Sequence, residues 1–177
     1  MKIAHLSDLH IGKKVNGFDL IEDQRYILSE ILDVIKKHKV ETVLMAGDIY
    51  DVTMPSAVAV SLFDDFLTQL RKENINILIT SGNHDSVERL SFASEILSQS
   101  NIYISNRYEG ILEKVVIEDD YGLVNFYLLP YIKPIMVREY FPDKEIQNYD
   151  QAIQAILEDI DLDKDERNII LSHQFIY

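Results

Sequence analysis

The chain has 177 residues, a net charge of −13 and no cysteine, so disulfide bonds and thiolate metal sites are excluded. Apolar residues make up 47% of the chain, which is typical of a globular protein, and no apolar run reaches the roughly 18 residues of a membrane span. The N-terminal segment also lacks the pattern of a signal peptide. We therefore expect one cytoplasmic domain.

The apolar pattern predicts alternating strands and helices. Strands are expected at 2–7, 41–47, 75–81, 102–105, 111–118, 123–129 and 167–173, and helices at 20–38, 55–73, 87–99 and 149–160. Pro55 suits the first position of the second helix, where its missing N–H costs nothing. This order predicts an α/β fold in which a mixed, mostly parallel β-sheet core is flanked by helices.

The negative charge is concentrated in residues 139–166, which contain ten acidic residues and two lysines. Such a segment favours a solvated surface, and an acidic chain is an unusual partner for nucleic acid. Carboxylates that bind divalent cations reverse the sign of the local field, however. The net charge alone therefore does not exclude a polyanionic substrate.

Polar side chains follow four of the predicted strands at the point where each strand ends. They are Asp8, His10, Asp48, Asn83, His84, Asp85 and His173. The carboxyl ends of parallel strands meet at one edge of a sheet, so we expect these groups to lie together. Oxygen and nitrogen donors without thiolate suit manganese, iron or zinc.

Each of these motifs also has an ordinary structural interpretation. Gly47-Asp48 could be a turn, and Asp85 or Ser86 could cap the helix at 87–99. Polar side chains at the ends of four separate strands are hard to attribute to turns alone. Aspartates that lie close together also repel one another unless cations lie among them. The set therefore predicts a metal site.

The motifs Asp8-Leu-His10, Gly47-Asp-Ile-Tyr-Asp51, Gly82-Asn-His-Asp85 and the later His173 resemble the signature of the calcineurin-like metallophosphoesterases. The segments "HLSDLHIGKKVNG", "LLPYIKPIMVREYF" and "ILSHQFI" resemble the SbcD subfamily of DNA nuclease subunits within that family. The resemblance implies the layered metallophosphoesterase fold and a metal-dependent exonuclease and endonuclease active on DNA.

The resemblance also implies individual roles. Asp8 and His10 bind one metal ion, Asn83 and His173 bind a second, and Asp48 bridges the two ions, most commonly Mn²⁺. His84 is the catalytic histidine that protonates the leaving sugar oxygen, and Asp85 orients and charges it.

The family's final Gly-His-x-His motif and the capping domain of the subfamily do not occur within residues 1–177. We therefore expect an N-terminal nuclease domain that is incomplete at its C-terminus, with a weakened second metal site and uncertain activity.

The resemblance implies DNA, an SMC-like ATPase subunit and a second copy of the chain as partners. Cations near the motifs could contact DNA, namely Lys13, Lys14, Arg25, Arg89 and Arg107, although each could equally be an ordinary surface charge. Helices 55–73 and 87–99 have wide apolar faces, which predict a dimer interface at Leu62, Phe63, Phe66, Leu90 and Leu97. The alternative is burial of those faces within the monomer.

Two further functions stay open at this point. The chain could be a phosphoesterase that acts on small phosphate esters or cyclic nucleotides, or a non-catalytic fragment that dimerises.

Overall fold

The computed structural model describes residues 1–174. Its strands are β1 (Ile3–Leu6), β2 (Lys14–Val15), β3 (Phe18–Asp19), β4 (Thr42–Ala46), β5 (Asn76–Thr80), β6 (Ile102–Ile104), β7 (Glu113–Asp119), β8 (Gly122–Leu129) and β9 (Arg167–Ser172). Its helices are α1 (Ile21–His38), α2 (Ala57–Lys72), α3 (Val87–Leu90), α4 (Ser94–Ser98), α5 (Pro134–Arg138) and α6 (Tyr149–Asp159).

The larger strands form two sheets. The first sheet has the order β1-β4-β5-β6 and is entirely parallel. The second has the order β7-β8-β9, in which β7 and β8 form an antiparallel hairpin and β9 runs parallel to β8. The short strands β2 and β3 form a separate antiparallel hairpin. The α/β class is confirmed, but the strands that were expected in one mixed sheet are divided between two.

Alternating side chains of the first sheet pack into two different apolar layers. Val43 and Met45 of β4 face α1 and α2, whereas Leu44 and Ala46 face the second sheet, where they meet Phe126 of β8. A third cluster joins α5 and α6 to the end of β8. The layers are therefore helix, sheet, sheet and helix, and all five residues of β4 are buried.

Local chemistry explains where the longest helices begin and end. Ser56 caps α2 by accepting a hydrogen bond from the Ala59 N–H at 3.2 Å, so Pro55 precedes the helix and is not its first residue. Acidic residues occupy the first turn of α1 and basic residues its last turn, which complements the helix dipole. Asn148 caps α6 through the Gln151 N–H at 2.9 Å.

The predicted helix at 87–99 is divided into α3 and α4. Ala93 has φ +61°, a left-handed conformation that no α-helix can continue through. The β2–β3 hairpin and α5 were not predicted, because elements of two to five residues are too short to show a period.

The side chains predicted to form a dimer interface belong to the interior of the monomer. Leu62, Phe63, Phe66 and Leu90 are each no more than 7% exposed, and Leu97 packs against the same cluster. The wide apolar faces of these elements are thus covered by α1 and the first sheet, so Leu62, Phe63, Phe66 and Leu90 cannot contact a second copy, whereas Leu97 is partly exposed. No helix of the described residues is long and apolar enough to cross a membrane.

Candidate metal centre

Loops that follow β1, β4, β5 and β9 meet at one end of the molecule. His10 Nε2 lies 3.7 Å from Asp8 Oδ1 and 3.6 Å from Asp48 Oδ2. His173 Nε2 lies 3.5 Å from Asp48 Oδ2, and His84 Nε2 lies 4.0 Å from it. Three of the loops extend from the first sheet and the fourth from the second, so the groups converge across the junction of two sheets.

Asp48 stands at the centre of this arrangement. It is only 3% exposed, and its Oδ1 accepts a hydrogen bond from the His84 N–H at 2.9 Å. Two sets of candidate ligand atoms share it: Asp8, Asp48 and His173 form one, and His10, Asp48 and His84 form the other, each within 4.8 Å. Asp48 therefore has the position that a carboxylate shared by two ions needs.

The backbone around the centre is held in an uncommon conformation. Asp8, His10 and Asp48 all have positive φ, at +56°, +43° and +50°. Left-handed backbone costs a non-glycine residue about 1–2 kcal/mol. Hydrogen bonds between the two loops hold it in place, from His10 N–H to the Asp48 carbonyl and from Ile11 N–H to the Ile49 carbonyl, both at 2.9 Å. Such strain concentrates where side chains must be aimed at a common point.

Two glycines allow the loops to approach. A Cβ on Gly47, which has φ +70°, would lie 2.6 Å from His173 Cγ, and a Cβ on Gly82 would lie 2.8 Å from Asp48 Cγ. Real Cβ atoms do not tolerate such distances. The glycines that precede Asp48 and Asn83 are thus both required by packing, and Gly47 is required by its backbone conformation as well.

Carbonyl groups fix the proton positions of two histidines. His173 Nδ1 lies 2.7 Å from the Ala46 carbonyl, and His84 Nδ1 lies 2.8 Å from the Asp51 carbonyl. A carbonyl oxygen only accepts hydrogen bonds, so each Nδ1 carries a hydrogen. In the neutral ring, Nε2 of both histidines then offers its lone pair towards Asp48.

Asp51 was not among the predicted site residues. Its Oδ1 lies 3.2 Å from His10 Nδ1, although their alignment falls short of a hydrogen bond, and 3.7 Å from Lys13 Nζ. Its carbonyl holds the His84 ring. The spacing Gly-Asp-x-x-Asp was visible in the sequence, and it places a second carboxylate beside the loop of Asp48.

Asp85 has a different environment from the predicted one. Its carboxylate accepts hydrogen bonds from three backbone N–H groups, those of Ile49 at 3.1 Å, Tyr50 at 3.0 Å and Gly82 at 2.9 Å. The group that holds the His84 ring is the Asp51 carbonyl. The expectation that Asp85 orients and charges this ring is therefore corrected: Asp85 ties the loop after β4 to the loop after β5.

Asn83 lies next to Gly82 and lines a cleft beside the centre, with Arg89, Tyr131 and Lys133. The hydroxyl of Tyr131 is 3.1 Å from that of Tyr149. Burial, this hydroxyl contact and the nearby charge of Asp48 raise the pKa of Tyr131 to about 12, so its hydroxyl stays neutral.

Other predicted DNA-binding cations already form ion pairs or line a different cavity. Lys14 pairs with Asp19 at 3.6 Å, and Arg25 pairs with Glu22 at 3.5 Å. Arg107 lines a separate cavity with Asn106 and Pro130. Lys13 lies 3.7 Å from Asp51, and Arg89 lines the cleft with Asn83.

The residues at this site fit divalent cations. The donors are carboxylate oxygens and imidazole nitrogens, and two sets of three such atoms are close enough to surround an ion. His10 presents Nε2 to the Asp8 and Asp48 carboxylates, while its Nδ1 faces Asp51.

Comparison with known proteins agrees with this chemistry. A model of the family described as calcineurin-like phosphoesterase matches residues 1–177. The chain is 36% identical over 176 residues to a protein of Staphylococcus epidermidis that is named as the SbcD component of the nuclease SbcCD. The match covers 98% of this chain and 46% of the relative, so the chain spans about half of that protein. The chain belongs to the calcineurin-like phosphoesterases, a family of metal-dependent hydrolases.

Proposed function

We propose that this chain is the phosphoesterase part of a metal-dependent DNA nuclease subunit of the SbcD type. The observation that carries the proposal is the central position of Asp48, which is shared by two sets of candidate ligands. The family resemblance assigns Asp8, His10 and Asp48 to one cation, and Asp48, Asn83 and His173 to a second. The geometry differs in pairing Asp8 with His173 and His10 with His84, and agrees in making Asp48 the shared carboxylate. Mn²⁺ is the ion that the family resemblance implies, and the oxygen and nitrogen donors accommodate it.

His84 is the proposed proton donor. When bound, the cations supply Lewis-acid activation of a phosphoryl group and of water. Because the Asp51 carbonyl accepts the Nδ1 hydrogen, Nε2 is the atom that takes up a proton when the ring becomes an imidazolium, and it is this proton that would pass to the leaving sugar oxygen. The His84 side chain is 43% exposed, against 18% for His10 and 17% for His173, which suits a group that must meet the substrate.

The choice of DNA as substrate rests on the relative, whose name is that of a nuclease component. The same name supports a partner subunit, SbcC. The family resemblance implies that this partner is an SMC-like ATPase, and the lack of cysteine favours a cytoplasmic location. Lys13, Lys14, Arg25, Arg89 and Arg107 remain proposed DNA contacts, with Arg89 the best supported because it lines the cleft beside Asn83.

A homodimer also remains part of the proposal, through a different set of side chains. The exposed apolar residues on and between the same helices are Val58, Val60, Phe92 and Ile96, each at least 45% exposed. Light scattering on the purified chain tests this directly, and a monomer at every concentration would contradict it.

The substrate is tested by comparing two reactions in Mn²⁺. We expect cleavage of an end-labelled DNA hairpin that chelator abolishes, and much slower hydrolysis of p-nitrophenyl phosphate. Rapid turnover of the small ester with intact DNA would instead favour a small-molecule phosphoesterase. The absence of turnover on both would favour the non-catalytic alternative.

The role of His84 is tested with His84→Ala. A lost general acid lowers turnover by about 10²–10⁴-fold. Because His84 is not a ligand in this proposal, a calorimetric titration with Mn²⁺ should give the wild-type number of bound ions. Loss of an ion in that titration would make His84 a ligand and overturn the assignment. His38→Ala, at the far end of α1, is the matched control.

A further inference from the structure

The cleft beside the candidate metal centre has features that the metal chemistry does not use. Its volume is about 470 Å³, within the range of roughly 300–1,000 Å³ for small-ligand sites. Asn83 lies on one wall, and the segment after β8, with Tyr131, Lys133 and Met136, forms another. The cleft therefore continues from the proposed metal ligands towards α5.

Two cations and two carboxylates line the cleft, so its formal charge is balanced, whereas the whole chain carries −13. Arg89 and Lys133 line it, and neither makes an ion pair with any of residues 1–174. The two acidic side chains of the lining already accept hydrogen bonds from other groups. Asp85 accepts three backbone hydrogen bonds, and Glu88 accepts one from the Ser86 hydroxyl at 3.0 Å. A hydrogen bond from its own backbone N–H, and then the Ser86 bond, lower the pKa of Glu88. The two cations are thus free to meet an anion.

The position of Lys133 is fixed relative to the metal centre. The Tyr131 N–H donates to the Ser81 carbonyl at 3.0 Å, which attaches the segment after β8 to the loop that carries Asn83. Ile132 is fully buried in the cluster around α5 and α6. The backbone at Lys133 is therefore held in place, and only the Lys133 side chain has to move to contact a bound anion.

The rim of the cleft is apolar. Met54, which is 70% exposed, and Met136 line it, and both thioether side chains adapt to flat or irregular surfaces. The neutral hydroxyl of Tyr131 adds a polar group without negative charge. Two free cations with an apolar rim match what one nucleotide unit offers, namely a phosphate with a sugar and a base.

We propose that this cleft is a subsite for the nucleotide next to the cleaved bond, and that Lys133 and Arg89 bind its phosphate. The subsite makes the centre selective for a polynucleotide over an isolated phosphate ester, since only a chain supplies a second phosphate beside the first. This inference rests on the proposed nuclease function and assigns part of its substrate selectivity to named residues.

The test is Lys133→Gln in the full chain, with binding of a fluorescein-labelled single-stranded oligonucleotide followed by anisotropy against salt. A single-strand phosphate contact contributes about 0.7 to the slope of log K against log salt. Its loss should lower the slope by that amount and weaken binding about fivefold at 0.1 M salt. Lys133→Arg should keep most of the affinity.

Lys37→Gln is the matched control. This exposed lysine lies in the last turn of α1, at the opposite end of the first sheet from the metal centre. If Lys133→Gln binds as the wild type and Lys37→Gln do, with the same slope, the subsite is wrong while the nuclease proposal stands. If the wild type itself binds and cleaves no oligonucleotide, the nuclease proposal fails and this inference with it.

Discussion

Asp48 is the residue on which the candidate centre depends most. It is buried, it has positive φ, and both sets of candidate ligands include it. A buried carboxylate with two histidine Nε2 atoms within 3.6 Å is costly unless opposite charge compensates for its lost hydration. Bound cations would supply that charge. The strain and the burial thus have one common explanation, which is a site made for metal ions.

Asp48→Asn should abolish high-affinity metal binding without unfolding the chain. The substituted amide oxygen can still accept the His84 N–H bond, but it carries no negative charge. We expect a loss of Mn²⁺ affinity beyond the roughly 10- to 100-fold typical of outer-shell partners. Isothermal titration calorimetry measures it, with the exposed Asp33→Asn of α1 as control. Unchanged affinity would rule out Asp48 as a shared ligand.

Gly82→Ala should damage the centre through packing alone. The added methyl group would collide with Asp48, and overpacking of this kind costs about 1–3 kcal/mol. Urea unfolding and a Mn²⁺ titration should therefore show lower stability and weaker binding together. Gly17→Ala adds a methyl group with nothing within 4 Å, so it strains the backbone but should leave metal affinity unchanged. Equal metal affinities in both variants would contradict the proposed collision.

At the scale of elements, the arrangement depends on how loops are tied to one another. Asp85 joins the loop after β4 to the loop after β5, and the Ala46 carbonyl, at the end of β4, holds the ring of His173 beyond β9. Each tie lies between segments that are distant in the chain. The loops therefore form one rigid unit, and a change in one of them reaches the whole centre.

Asp85→Ala should destabilise the fold. It leaves three backbone N–H groups without their acceptor in a site that is 8% exposed. Unsatisfied buried donors cost about 1–3 kcal/mol each, and partial access to water reduces the sum, so we expect about 2–4 kcal/mol. Urea unfolding checks this against the exposed Asp143→Ala. Wild-type stability with an altered pH profile of turnover would restore the role first predicted for Asp85.

At the scale of the whole molecule, an ion cluster on the side chain of Asp119 joins three strands. The carboxylate at the end of β7 lies 2.7 Å from the α-amino group of Met1, just before β1. It also accepts two hydrogen bonds from the Arg167 guanidinium, at the start of β9, at 2.5 and 3.0 Å. These partners hold the pKa of Asp119 well below its usual range and raise that of the α-amino group. The cluster connects the two sheets at one edge.

Stability should therefore fall in acid partly through Asp119. Its folded pKa is depressed, so its contribution is complete above the unfolded value of about 3.9 and is lost as the pH falls below it. Asp119→Asn should be less stable than the wild type at pH 7, and the difference should shrink towards pH 3. Urea unfolding at several pH values measures this. The neighbouring exposed Asp120→Asn should keep the wild-type dependence, and a gap that widens in acid would refute the linkage.

The sequence by itself determined the α/β class, the positions of the main strands and the polar groups at their ends. Apolar period and strand-terminal motifs are local signals, so Asp8, His10, Asp48 and His84 could be identified before any coordinates. The tertiary structure decided that His173 reaches the centre from a second sheet, that Asp85 ties loops together, and that Leu62 and Phe66 are interior. These features depend on contacts between segments far apart in the chain, and a local pattern carries no information about which segment covers a given face.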